Sequence, residues 1–80
     1  MILTVKVNNE DTEVEVSMDQ LVIGERICKR HDEGQLDEVG MDRSPKVTKV
    51  ILIRMILDIG LREAMGIVNH YEMVKENERL

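Results

Sequence analysis

Cys28 and His31 are separated by two residues, which is the spacing of one half of a zinc site, and His70 lies far along the chain. A structural zinc ion needs four ligands, which usually come as two such pairs. The sequence has one cysteine and two histidines, so no second pair is available. We therefore predict no metal site, with His31 exposed to solvent and His70 at the edge of the core.

Acidic residues concentrate in the segment 32–45, DEGQLDEVGMDRSP. A calcium-binding EF-hand loop needs oxygen ligands at alternate positions, a central glycine and a terminal glutamate. The spacing of these acids does not supply that pattern. Paired catalytic carboxylates would need a cleft that shifts their pKa values, and the sequence indicates none in so small a chain. We therefore expect an acidic loop, no cofactor and no enzymatic activity.

The charge of the 80-residue chain is unevenly distributed. Residues 1–45 hold five Lys/Arg and eleven Asp/Glu, whereas residues 46–80 hold six Lys/Arg and five Asp/Glu, for a formal net charge of −5. Phosphate backbones and anionic lipids repel an acidic protein, which argues against binding to nucleic acid or membranes.

No apolar run approaches the ~20 residues of a membrane span, and no signal-peptide pattern is present. We therefore expect a cytoplasmic protein.

The first part of the chain alternates between apolar and polar residues. ILTVKV (2–7) and TEVEVS (12–17) both alternate, with NNED between them, which predicts a β-hairpin. The next segment, MDQLVIGERICKRH, predicts a helix with Asp19 as its cap. Its expected apolar stripe consists of Leu21, Val22, Ile27 and Cys28. The stretch QLVIGERI also fits a third strand, so both interpretations stay open.

The C-terminal part predicts two helices joined by one glycine. Ser44 suits an N-cap and Pro45 the first helical position. The stretch 46–59, KVTKVILIRMILDI, is longer than an ordinary strand, and its polar residues are scattered around the helix. Such a helix is packed on more than one side, by its own domain or by a second copy of the protein. Gly60 is expected to adopt positive φ and end this helix, before a second apolar stripe begins at Leu61.

These patterns predict one α+β domain over residues 1–80. It has an N-terminal β-hairpin and an uncertain helix in 1–31, an acidic loop in 32–45 and a C-terminal helical hairpin in 46–77. Because the first helix of the C-terminal hairpin is apolar on all sides over residues 47–59, we also expect a homo-oligomer.

The segment 46–68, KVTKVILIRMILDIGLREAMGIV, resembles the factor-binding C-terminal domain of the bacterial ribosomal large-subunit stalk protein. That family has a Lys-Val start, an arginine in the middle of the first helix and Gly-Leu-Lys-Glu-Ala-Lys after the corner. Lys46 and Arg54 occupy matching positions, and Val50 stands where the family has an isoleucine. Ile51 and Met65 stand where the family has functional lysines. The resemblance implies a helical hairpin that recruits translational GTPases.

Taken together, these features predict a non-enzymatic protein-binding module that contacts a translational GTPase or another acidic protein surface. Apolar anchors ringed by charge are typical of specific interfaces. The expected contact residues are Lys46, Lys49, Val50, Ile51, Arg54, Arg62 and Met65. Two alternatives stay open. One is a dimeric helix-turn-helix regulator that binds DNA, and the other is a small inhibitor of a host enzyme whose acidic half imitates nucleic acid.

Overall fold

The computed structural model describes residues 1–34 and 45–78. In these ranges the elements are β1 (Ile2–Val7), β2 (Glu10–Glu15), α1 (Met18–Asp32), α2 (Pro45–Leu57) and α3 (Leu61–Glu78). The antiparallel sheet of two strands precedes the helices, so the predicted α+β class with a C-terminal helical part is confirmed. The expected cap Ser44 and residues 35–44 of the expected acidic loop lie outside the described residues.

The hairpin turns more tightly than the sequence pattern predicted. Asn8 and Asn9 have φ angles of 52° and 66°, and Val7 pairs directly with Glu10. Two consecutive residues with positive φ form the turn that best matches the twist of a hairpin, and asparagine tolerates this conformation well. Strand β2 therefore begins at Glu10 rather than at Thr12, and Glu10 and Asp11 belong to the strand instead of the turn.

Helix α1 begins at a capping box. The amide of Gln20 donates to Oγ of Ser17 at 3.1 Å, and the amide of Ser17 donates to Oε1 of Gln20 at 3.0 Å. Each side chain thus satisfies a backbone amide that has no helical partner. The cap is Ser17 and not Asp19, which lies in the first turn. The continuous helix Met18–Asp32 excludes the third strand that the sequence had left open.

The buried side of α1 differs at one position from the expected stripe. Leu21, Ile27 and Cys28 are buried as predicted, but Val22 is 43% exposed and Gly24 is buried in its place. A helix repeats every 3.6 residues, so residues 21, 24 and 28 share one face. The prediction for Val22 was wrong because a glycine was not counted as a packing position.

Helix α3 contacts both strands and both other helices, and in the described part of the chain it is the only helix that approaches the strands. Its contacts are very close. A Cβ atom at Gly66 would lie 2.7 Å from Cγ2 of Val14, and a Cβ atom at Gly24 would lie 2.5 Å from Cγ2 of Ile67. Real Cβ contacts are longer, so glycine is required where α3 meets the sheet and where α1 meets α3.

The connection between α2 and α3 has three residues. Helix α2 ends at Leu57, and Asp58 has a φ of 52°. Gly60 does not have positive φ, so its expected role as the C-cap was wrong. Its carbonyl instead accepts a hydrogen bond from the amide of Ala64 at 3.1 Å, which places Gly60 at the start of α3. The chain reverses here, and α2 packs against α3.

Candidate functional site

Helix α2 presents three apolar side chains on the side that faces away from the core. Val47 is 45% exposed, Ile51 is half-buried and Met55 is 74% exposed. Because these residues are four positions apart, they lie above one another on a single helix face. Water therefore contacts an apolar row on α2, while Val50 and Ile53 of the same helix lie in the core.

One basic and one acidic residue accompany this row. Arg54 and Asp58 are exposed and are also four positions apart. We name these five residues the α2 outer face: Val47, Ile51, Arg54, Met55 and Asp58. Four of them line a depression of about 290 Å³ together with Ile59. The α2 outer face thus combines apolar surface with one charge of each sign.

The corner that follows α2 is also apolar and exposed. Ile56 and Leu61 are 56% and 50% exposed, and they flank the short connection between α2 and α3. Arg62 follows directly and is exposed. The end of the helical hairpin therefore also exposes apolar and charged residues to water.

Two of the residues predicted to contact a partner face the interior instead. Val50 is 7% exposed and belongs to the core. Lys49 is 6% exposed, and its Nζ lies 2.7 Å from Oδ1 of Asp32. Because the fold covers both side chains, neither can touch a partner that docks on this conformation.

The other predicted contact residues are distributed over several surfaces. Ile51 and Arg54 lie together on the α2 outer face. Lys46 is exposed, but its Nζ lies 3.8 Å from Oε2 of Glu72 on α3. Met65 is half-buried against the core, and Arg62 is exposed at the start of α3. The structure thus brings together two of the predicted residues with Met55, which the sequence argument had not singled out.

Met55 was detectable from the sequence by a simpler test. Counting back from Met55 in steps of four gives Ile51 and Val47, which is an unbroken apolar row at helical spacing. The scatter of polar residues around α2 concealed it, because two of these polar residues, Thr48 and Lys49, do not face the solvent and are 4% and 6% exposed. Once these two are assigned to the interior, the row Val47, Ile51 and Met55 stands out as one exposed apolar face of the helix.

The buried Lys49 belongs to a polar cluster that joins all three helices. Asp32 at the end of α1 accepts hydrogen bonds at Oδ2 from the Tyr71 hydroxyl at 2.9 Å and from Lys75 Nζ at 3.0 Å. Lys49 Nζ also lies 5.5 Å from the centre of the Tyr71 ring, within the range of a cation–π contact. Charged hydrogen bonds of this kind hold the carboxylate as an anion.

The pKa values of this cluster reflect that arrangement. Burial alone would raise the pKa of Asp32, but hydrogen bonds from Lys49, Lys75 and Tyr71 outweigh it and lower the pKa to about 2. Burial and the hydrogen bond to Asp32 raise the pKa of Tyr71 to about 12. Both pKa shifts favour one arrangement, in which the ionised carboxylate of Asp32 accepts a hydrogen bond from the protonated hydroxyl of Tyr71. The cluster is therefore suited to holding the helices together.

Cys28 and His31 are enclosed by the fold, and His70 contacts a side chain of another helix. Cys28 is fully buried, and burial raises the pKa of its thiol to about 12, so the reactive thiolate is not formed near neutral pH. The His31 side chain is 6% exposed, which corrects the prediction of a solvated residue. Nδ1 of His70 lies 3.0 Å from Oε1 of Glu25, which links α3 to α1. No group of metal-ligating side chains occurs in residues 1–34 and 45–78.

A second depression lies between α1 and α3. It has a volume of about 620 Å³ and is lined mainly by charged side chains, together with Val22, Tyr71 and Val74. Asp32 and Lys75 are among the lining residues, and they already bond to each other. Because its central carboxylate, Asp32, is engaged by Lys49, Tyr71 and Lys75 within the protein, we regard the α2 outer face as the better candidate site.

Comparison with known proteins gives no match: no family model, no curated protein and no solved structure corresponds to this chain. Within the described ranges, none of the helices has the length and apolar character needed to cross a membrane.

Proposed function

We propose that this protein is a non-enzymatic binding module that uses the α2 outer face to hold another protein. The observation that carries the proposal is the row Val47, Ile51 and Met55, which leaves Met55 74% exposed on a well-formed helix. Apolar patches with a charged rim mark interaction sites on soluble proteins. A long flexible methionine also adapts to a partner surface.

The charges of the α2 outer face determine what kind of partner fits. Arg54 is exposed and forms no ion pair with any described residue, so it is available to a carboxylate of a partner. A partner with an apolar depression and an acidic group beside it would satisfy both Met55 and Arg54. Arg54 also matches the arginine of the stalk-family hairpin, which makes a translational GTPase the first partner to test.

The experiment compares two methionines that differ only in their place on the protein. Met55 and Met73 are both exposed, at 74% and 61%, but Met73 lies on α3 and is not among the residues that line the depression of the α2 outer face. Met55→Glu places a carboxylate in the apolar row, whereas Met73→Glu adds the same charge elsewhere. Binding of a purified translational GTPase is measured by isothermal titration calorimetry for the unchanged protein and both variants.

If the proposal is correct, Met55→Glu weakens binding by at least about tenfold, since a central anchor contributes more than about 1.4 kcal/mol, and Met73→Glu binds like the unchanged protein. Arg54→Glu is a separate variant that is also expected to weaken binding, and the affinity that remains should depend less on the salt concentration. Equal affinity of all variants would exclude the α2 outer face. Absence of binding would exclude this partner class.

The DNA-binding alternative is tested separately by electrophoretic mobility shift at physiological salt. Sequence-specific retardation of duplex DNA would replace the protein-binding proposal, since an acidic chain gains little from nonspecific attraction to phosphates.

A further inference from the structure

The two edges of the β-hairpin differ in their chemistry. The amide of Val16 donates to the carbonyl of Met1 at 2.9 Å, and the amino group of Met1 donates to the carbonyl of Val16 at 3.0 Å. In an antiparallel pair, hydrogen-bonded residues alternate with residues that are not hydrogen-bonded. Leu3 and Val14, two positions further along the ladder from Met1 and Val16, are therefore also a hydrogen-bonded pair. The residues between the bonded ones on β1, which are Ile2, Thr4 and Lys6, point their backbone amides and carbonyls away from β2.

These outward groups form an open edge on β1. The residues concerned are Ile2, Thr4 and Lys6, and their side chains are exposed. Within the described ranges, no hydrogen bond reaches the outward amides and carbonyls of these three residues. An open strand edge is a template for another strand, because each unpaired backbone group gains a partner when a strand is added.

We propose that a second copy of this protein adds its own β1 to this edge, antiparallel, so that the two hairpins form one four-stranded sheet. With the twofold axis at Thr4, Thr4 lies opposite Thr4 of the second copy, and Ile2 lies opposite its Lys6. Threonine pairs across strands are favourable. The methylene groups of Lys6 cover Ile2, which is 63% exposed in the single chain.

The opposite edge does not allow the same arrangement. The outward residues of β2 are Asp11, Glu13 and Glu15, all of which are exposed. Pairing β2 with a second β2 about Glu13 would place Glu13 opposite Glu13 and Asp11 opposite Glu15. Like charges directly opposite each other destabilise a strand pair. Charged side chains also hinder pairing at natural sheet edges, and the outward set of β2 has three of them whereas that of β1 has one, Lys6. Charge therefore directs self-association to β1.

This inference does not depend on the proposed function. The α2 outer face lies on a helix that does not contact the strands in the described part of the chain. A dimer through β1 therefore uses a different surface. It also carries two α2 outer faces, which would strengthen binding to a partner that offers two sites.

The test uses a substitution that strengthens the hairpin and weakens the dimer. Thr4 lies opposite Glu13 within the hairpin, so Thr4→Lys creates a favourable pair inside each chain. Across the twofold axis the same substitution places two lysines opposite each other. Thr4→Val is the control, because valine favours strands and adds no charge. Sedimentation equilibrium from micromolar to submillimolar concentration measures the masses.

The unchanged protein and Thr4→Val are expected to approach twice 9.2 kDa, and Thr4→Lys is expected to dissociate at least about tenfold more readily. Thr4→Pro is a second variant, because it removes an amide that β2 does not use, and circular dichroism verifies its fold. Met55→Glu is expected to remain a dimer. A monomeric unchanged protein would overturn the proposal, as would a dimer that survives Thr4→Lys and is lost in Met55→Glu.

Discussion

The hydroxyl of Tyr71 on α3 donates a hydrogen bond of 2.9 Å to Oδ2 of Asp32 at the end of α1. Lys49 of α2 approaches the other carboxylate oxygen at 2.7 Å. One carboxylate thus connects all three helices. Because the side chain of Asp32 is 20% exposed, water competes only partly for these bonds.

The first prediction concerns the titration of Tyr71, which is the only tyrosine of the chain. Its pKa is raised to about 12, first by burial and then by the hydrogen bond to Asp32. In Asp32→Asn the negative acceptor is lost but the burial remains. We therefore expect the titration midpoint to fall without reaching the ordinary value of 10.0. Ultraviolet absorbance of the phenolate measures both midpoints. An unchanged midpoint in Asp32→Asn would show that the hydrogen bond is absent in solution.

The second prediction concerns stability in acid. The pKa of Asp32 is lower in the folded protein, at about 2, than its ordinary 3.8, so the folded state binds this proton less readily than the unfolded state. Its stabilising contribution is therefore complete above about pH 4 and is lost as the pH falls through about 2. Urea unfolding should show that Asp32→Asn is less stable than the unchanged protein near neutral pH, and that this difference shrinks between about pH 4 and 2.

Glu13→Gln is the control for this measurement, because it removes one negative charge from an exposed strand position. Its stability relative to the unchanged protein should vary little over the same acidic range. If Asp32→Asn and Glu13→Gln behave alike, net charge and not the Asp32 cluster determines the acid response.

The third prediction separates the two lysines that bind Asp32. The Lys49 side chain is 8% exposed, whereas that of Lys75 is 43% exposed. Removing the buried partner leaves a poorly solvated carboxylate with fewer donors, so Lys49→Met should lower the free energy of unfolding by about 1–3 kcal/mol. Lys75→Met should lower it by less than about 1 kcal/mol, as for exposed pairs. Denaturant titration followed by circular dichroism measures both. Equal losses would contradict the burial of Lys49.

The fourth prediction compares two glycines. A Cβ at Gly24 would lie 2.5 Å from Cγ2 of Ile67, which is fully buried and cannot move away. Gly24→Ala should therefore destabilise the protein by about 1–3 kcal/mol despite the better helix propensity of alanine. At Gly60 the contacting atom is a carboxylate oxygen of Glu63, which can swing aside. Gly60→Ala should change stability by less than about 0.5 kcal/mol. A large loss at Gly60 would indicate that its φ is positive in solution.

Local signals were sufficient to predict the β-hairpin and the two C-terminal helices, but not to decide between a helix and a strand for α1. The alternation of Ile2–Val7 and the helical spacing after Leu61 each follow from residues that are close in sequence, because burial on one face imposes a period of 2 or 3.6. The ends of the elements were less predictable. Ser17 and Gln20 already carried the capping-box pattern, and Asn8 and Asn9 carried the tight-turn pattern, so these boundaries were accessible from the sequence.

The environment of Lys49 was not accessible in that way. A lysine on an apolar helix is expected to extend into solvent, and its burial depends on Asp32, which lies on another helix. Tertiary contacts of this kind are not encoded in any local pattern. The same limit applies to Gly24. A side chain is excluded there by the close approach of Ile67, and only the folded chain brings these two residues together.

The position of α3 has a consequence for how this chain folds during synthesis. The hairpin is made before the three helices, and the helix that covers its apolar face is made after α1 and α2. At ordinary translation rates the strands wait on the order of seconds for that cover, and two strands alone are marginal in water. The nascent chain must therefore carry uncovered valines until α3 leaves the ribosomal tunnel, which makes interrupted synthesis a risk for aggregation.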